Sequence, residues 1–136
     1  MIQSIVHDEK FLAQKSLPAT FMDIPIAQNL LDTLAFHHET CVGLAANIIG
    51  VQKCIIAINF GPTNIAMLNP VIIKQSGKYI AEEGCLSLSG VRSTVRYKKI
   101  VVEYQDMQFK KQRQTFTDWP AQIVQHEIDH CNGILI

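Results

Sequence analysis

Apolar residues recur at helical spacing near both ends of the chain, and in short strand-length runs between them. From residue 23 to about residue 39, Ile26, Leu30, Leu31, Leu34 and Ala35 fall on one helical stripe. Asp23 suits the N-cap, and Pro25 falls in the first turn, where its missing N–H costs no hydrogen bond. A second helix is predicted from Thr117 or Asp118, with Pro120 in its first turn, to a stop at Asn132-Gly133. Between them, strands are predicted over residues 43–47, 54–60, 65–69, 71–74, 78–83, 91–97, 99–106 and 108–116. Gly61-Pro62, Asn69-Pro70, Gly77, Gly84 and Gly90 punctuate these runs. Helix, mostly antiparallel strands, then helix is an α+β layout.

With 136 residues, 48% hydrophobic and 18% charged, the chain holds enough apolar material for one core, and a single domain over residues 1–136 is expected. Disorder and repeat architectures are excluded by the same balance. Twelve basic residues offset twelve acidic ones, so no net field attracts nucleic acid or an anionic membrane. Locally, Arg92, Arg96, Lys98, Lys99, Lys110, Lys111 and Arg113 face only Glu103 and Asp106, which reads as a solvated strand face. No apolar run approaches the roughly 20 residues of a membrane span. His7, Asp8, Glu9 and Lys10 leave no room for a signal-peptide apolar region. A cytoplasmic chain is expected, and its four cysteines count as thiols.

The last helix contains His126-Glu127-Ile128-Asp129-His130, an HExxH pattern. Histidines four apart lie one turn apart on one face, so both imidazoles can address one ion. Glu127 sits about 100° around the helix from His126 and can flank that ion as a general base. By itself the pattern also fits two hydrogen-bonded histidines and a solvated glutamate. A catalytic zinc-type site takes three protein ligands and a water. Downstream of His130 the one donor is Cys131, a single residue on and turned about 100° away, so the third ligand comes from upstream. Cys85 is the best candidate, because Gly84 beside it allows a close backbone approach. Cys54, within an apolar strand, reads as a core thiol, and Cys41 as packing or pocket lining.

These residues carry a resemblance to the peptide deformylases, metallohydrolases that remove formyl groups from the N-termini of new bacterial polypeptides. Residues 41–48, Cys-Val-Gly-Leu-Ala-Ala-Asn-Ile, resemble the family's first motif. Glu83-Gly84-Cys85-Leu86-Ser87 resembles the second, and Gln125-His126-Glu127-Ile128-Asp129-His130 the third. Flanking residues fit as well, including Arg92, Arg96 and Tyr97 after the second motif and residues 132–135 after the third.

The resemblance implies mostly antiparallel strands packed around the HExxH helix. It also implies one divalent ion, ferrous iron, held by Cys85, His126 and His130 with a water in the fourth position. Zn(II), Ni(II) or Co(II) suits the same thiolate–imidazole set. By the same resemblance, Glu127 takes the proton from that water and later delivers it to the departing amine. The backbone N–H of Leu86 helps to stabilise the charge that develops on the formyl oxygen. The peptide adds as an extended strand beside Val42, Gly43 and the stretch after Leu88. Its methionine side chain enters a pocket formed by Val42, Trp119, Ile123 and the apolar part of His126. Trp119 and Ile123, four apart, equally suit a core-facing stripe. The implied partners are N-formylmethionyl peptides of nascent chains, with a place near the ribosome, no sequence-specific nucleic acid and no membrane.

Two positions depart from the family's first motif. Cys41 stands where glycine is usual, and Ile48 stands where the family has a glutamine. That glutamine's amide donates to the developing oxyanion; isoleucine has no donor. Loss of one such donor typically costs roughly 10²–10³ in turnover. Asn47 has an amide, but in an extended strand it would point to the opposite face. Family members often continue past the position of Ile136 into a further helix or strand. A metal-dependent hydrolase of the deformylase type is expected, either slower than the family norm or tuned to another N-acyl group. The alternative is a catalytically attenuated relative that binds peptides or regulates. A purely structural metal site would leave Glu127 without a role, and a metallopeptidase would need a downstream ligand that the chain lacks.

Overall fold

The computed structural model describes residues 1–85 and 88–136; Leu86, whose N–H is expected at the oxyanion, lies outside the described residues with Ser87. The element order is α1 (Glu9–Leu12), α2 (Ile24–Phe36), β1 (Gly43–Ala45), β2 (Ile55–Phe60), β3 (Thr63–Cys85), β4 (Leu88–Gln105), β5 (Lys111–Thr117) and α3 (Asp118–Cys131). The strands form one antiparallel sheet in the order β1-β2-β3-β4-β5, a meander in which each strand pairs with its sequence neighbour. This is the expected α+β architecture.

Helix α2 buries Ala27, Leu30, Thr33 and Leu34. Leu30 and Leu34 belong to the predicted stripe, whereas Ile26 and Leu31 are half-buried and Ala35 is exposed, so the buried face is turned toward Ala27 and Thr33. Asp23 occupies the N-cap position without capping: its Oδ2 instead accepts from the Thr20 backbone N–H at 2.7 Å. The helix ends at Phe36, a turn before the predicted stop. Four successive residues of β2, Ile55 to Ile58, are fully buried. Side chains alternate across a strand, so both faces of β2 must be covered, and both α2 and α3 pack against it.

The middle of the chain differs most from expectation. The runs at 65–69, 71–74 and 78–83 are one strand, β3, and those at 91–97 and 99–106 are one strand, β4. Asn69-Pro70 does not end a strand. It falls where the β3–β4 register shifts between Leu68 and Val71, with Asn69 in the left-handed region at φ 53°. The Asn69 side chain pins the N-terminal segment there, accepting from Ala19 N at 2.7 Å and donating to Ala19 O at 2.9 Å. Residues 46–49 are not strand either: Ala46–Ile49 form a 3₁₀ turn closed by Gly50 at φ 89°. Asn47 therefore does not alternate with Ile48 across a pleat.

Candidate metal centre

Helix α3 presents His126 and His130 on one face, with ring centroids 4.7 Å apart and the two Nε2 atoms 3.0 Å apart. The end of β3 delivers Cys85, and its Sγ and one ring nitrogen of each histidine all lie within 4.8 Å of one another, close enough to hold one metal ion. Both histidines are buried.

Why the end of β3 meets α3 follows from one arginine. Arg96 on β4, 3% exposed, forks onto Glu83, with Nη2 donating to Oε1 at 2.6 Å and Nε to Oε2 at 2.9 Å. Its Nη1 donates to Asp129 Oδ2 at 2.7 Å, so one guanidinium ties β3, β4 and α3 together. Arg96 is thus not part of a solvated basic face, as its surroundings in the sequence suggest. Gln125 makes the second tie: its amide accepts from Tyr97 N at 2.8 Å and donates to Tyr97 O at 2.7 Å.

Glu83 also receives Nδ1 of His126 at 2.8 Å. A carboxylate is acceptor-only, so Nδ1 carries a proton and Nε2 is the atom offered to the centre. Burial opposes charge on His126, but hydrogen bonds with Cys85 and Glu83 and the nearby carboxylates outweigh it, raising the pKa to about 10. His130 goes the other way, down to about 3, through burial and then the positive charge of His126. Burial raises Glu83, yet His126 and Arg96 override it and hold the carboxyl at about 2. For Glu127 burial outweighs the nearby charge of His126 and pushes the carboxyl up to about 7.

A soft thiolate, two imidazoles and a carboxylate that orients one of them fit a divalent ion. Among the described residues this is the group whose donor atoms converge in that way.

A cleft of about 460 Å³ opens beside the centre. Cys85, His126 and Glu127 line it, as do Val42, Gly43, Ile48, Trp119 and Ile123. Ile123 also belongs to the core, 3% exposed, whereas Trp119 is 56% exposed. Cys41 is a cleft wall: its thiol donates to Gly43 O at 2.9 Å, and burial, then the charge of Glu127, pushes it up to about 12. Asn47 turns away, donating Nδ2 to His130 O at 2.9 Å. Cys131 is buried in the core and Cys54 packs against it. Glu83, Arg96 and Asp129, which belong to the motifs or flank them, carry the site's supporting bonds together with Gln122, and none of the four has a role assigned from sequence. Gln122 alone falls outside the motifs and their flanks.

The family described as polypeptide deformylase matches residues 2–136. A peptide deformylase of Clostridium beijerinckii is 50% identical over 136 residues, covering 100% of both chains. The chain belongs to the peptide deformylase family. Peptide deformylase 3 of Shewanella oneidensis is 36% identical, covering 94% of this chain and 81% of that one. Among solved structures, the Thermotoga maritima peptide deformylase superposes with a TM-score of 0.88 at 29% identity, covering 99% of this chain and 95% of that one. A Met-Ala-Ser-bound class I type b peptide deformylase from Acinetobacter baumannii has a TM-score of 0.88 at 27% identity, covering 99% and 97%. Peptide deformylases are metalloenzymes, and the convergence of Cys85, His126 and His130 at the cleft accords with that membership.

Proposed function

We propose that this cleft removes the N-formyl group from the N-terminal methionine of new polypeptides, with Cys85, His126 and His130 holding one Fe(II) ion and Glu127 moving the proton. The observation that carries the reading is the convergence of a thiol and two imidazoles beside a buried carboxylate at a cleft wall. When bound, the ion acts as a Lewis acid toward water and the formyl oxygen. Zn(II), Ni(II) and Co(II) are the other ions this donor set accepts.

The remaining roles belong to the chain. Arg96 and Glu83 fix the His126 ring, so that Nε2 faces Cys85 and His130. Glu127, with a pKa near 7 through burial, is poised to accept a proton and return it to the departing amine at neutral pH. Gly43 begins β1, an edge strand of the sheet, and Val42 and Gly43 line the cleft, so a peptide can lie along that edge. A relative's structure holds Met-Ala-Ser, a deformylated sequence of the kind such a groove would release. Trp119 and Ile123, with Val42, form the wall for the methionine side chain. Leu86 supplies a backbone donor to the oxyanion, and Ile48, which supplies none, lowers the rate.

The unit that carries this activity is a single domain over residues 1–136, working in the cytoplasm on formylmethionyl nascent chains close to the ribosome. No helix among the described residues is long and apolar enough to cross a membrane. The test is formate release from a formyl-methionyl peptide by protein loaded anaerobically with Fe(II). Release no faster than that of Glu127→Ala would overturn the reading.

A further inference from the structure

Glu83 stands at the centre of the support around His126, and its donors can be counted. Oε1 accepts from Arg96 Nη2 at 2.6 Å and from His126 Nδ1 at 2.8 Å. Oε2 accepts from Arg96 Nε at 2.9 Å and from Gln122 Nε2 at 2.9 Å. Each oxygen thus has two donors. Because the carboxylate can only accept, Gln122 must turn its NH₂ toward Glu83 and its oxygen away. That oxygen meets the Tyr79 hydroxyl at 3.1 Å, and Tyr79 must then be the donor. The direction of every hydrogen bond from Tyr79 to His126 follows from these two constraints.

Gln122 and His126 are one turn apart on α3, and they hold the two oxygens of one carboxylate from β3. The Arg96 fork by itself leaves the carboxylate free to rock about the axis of the ion pair. Gln122 on Oε2 opposes that motion, and so controls where Oε1 meets His126. Tyr79, reaching across from β3, keeps the amide from flipping.

We propose that Gln122 is a positioning residue for the metal centre: held by Tyr79, its carboxamide locks the Glu83 carboxylate and thereby aims His126 Nε2 at Cys85 and His130. The inference rests on the reading of those three residues as metal ligands. It assigns Gln122 no contact with the reacting atoms, although Gln122 also lines the cleft. The group bonded directly to a ligating histidine, here Glu83, typically changes metal affinity by about 10–100-fold, and Gln122 acts through it from one bond further out.

The experiment compares wild type, Gln122→Leu and Tyr79→Phe. Co(II) affinity is measured by competition with a chromogenic chelator, and the visible Co(II) spectrum is recorded. The Nδ1–H proton of His126, expected to be protected from exchange by its bond to Glu83, is followed by NMR in protein without metal. Gln122→Leu is expected to weaken Co(II) binding by up to about tenfold, the lower end of what a direct partner supplies, to shift the visible bands and to speed exchange of the Nδ1–H proton. Tyr79→Phe should move all three readouts in the same direction by less. It also stands in for Gln122→Leu should that variant fail to fold. Co(II) affinity within twofold of wild type, with unchanged bands and a protected Nδ1–H, would overturn the proposal even if formate release fell. Failure of the underlying site reading looks different, because wild type itself would then show no thiolate–Co(II) band.

Discussion

A methyl group on Gly43 would stand 2.9 Å from Oε2 of Glu127 and 2.8 Å from Cγ2 of Ile123. Strand β1 passes so close to the carboxylate that no side chain fits between them. Gly43→Ala must therefore displace Glu127, and because Glu127 is buried it has little room to retreat. We expect kcat for deformylation to fall by about ten- to hundredfold, part of what a positioned acid–base group supplies. Co(II) affinity should stay near wild type, since no ligand moves. A parallel loss of metal would show that the collision reaches the histidines.

Glu127→Gln keeps the shape of the side chain and removes its ability to carry a proton. Formate release by the Fe(II) protein is expected to drop by roughly 10²–10⁴ while metal content holds. A variant that keeps more than a tenth of wild-type kcat would remove Glu127 from its role.

Arg96 neutralises two carboxylates in a place that water barely reaches. Arg96→Met leaves Glu83 charged, buried and short of two donors. The expected cost is about 3–5 kcal/mol in urea unfolding, as for other buried pairs broken on one side. Asp129→Asn, at the more exposed end of the network, should cost clearly less. Equal costs would place the stabilisation elsewhere.

At position 48 the expected change is a gain. Ile48 is buried and lines the cleft, and the neighbouring amide of Asn47 is committed to His130 O. Ile48→Gln should raise kcat by about tenfold or more, up to the roughly 10²–10³ that one oxyanion donor is worth. An unchanged kcat in a folded, metal-loaded variant would show that the oxyanion is already fully served.

Cys41 lines the cleft yet should be a poor nucleophile. With a pKa near 12 from burial and the Glu127 charge, on the order of one thiol in ten thousand is ionised at pH 8. Iodoacetamide labelling followed by mass spectrometry should find Cys41 among the last sites modified, with a rate that keeps rising above pH 10. Fast labelling at pH 8 would contradict the assigned environment.

Much of the centre was legible because it is local. His126 and His130 are related by one helical turn, and helical periodicity fixes their common face from spacing alone. The first-motif segment was harder: Ala45, Ala46 and Asn47 suit a strand or a 3₁₀ turn equally, and the run of small residues gave no period to decide. Asn69-Pro70 looked like a stop, since proline cannot donate to a ladder, but a bulge accommodates the missing donor without ending β3. Arg96 departs furthest from its local pattern. Its neighbours Lys98 and Lys99 are exposed, and only the pairing of distant strands shows that this one cation points inward at Glu83. Long-range partners of this kind leave no trace in local pattern.

The four donors around Glu83 also bear on how this chain can vary. Arg96, His126 and Gln122 each answer to the same carboxylate, and Tyr79 answers to Gln122. Replacing Glu83 would leave three of them facing one another with no acceptor, and replacing Arg96 would leave a charge unmatched. Such a set drifts together or stays put. Where relatives differ at position 122, we expect compensating differences at 79, on a strand 43 residues earlier in the chain.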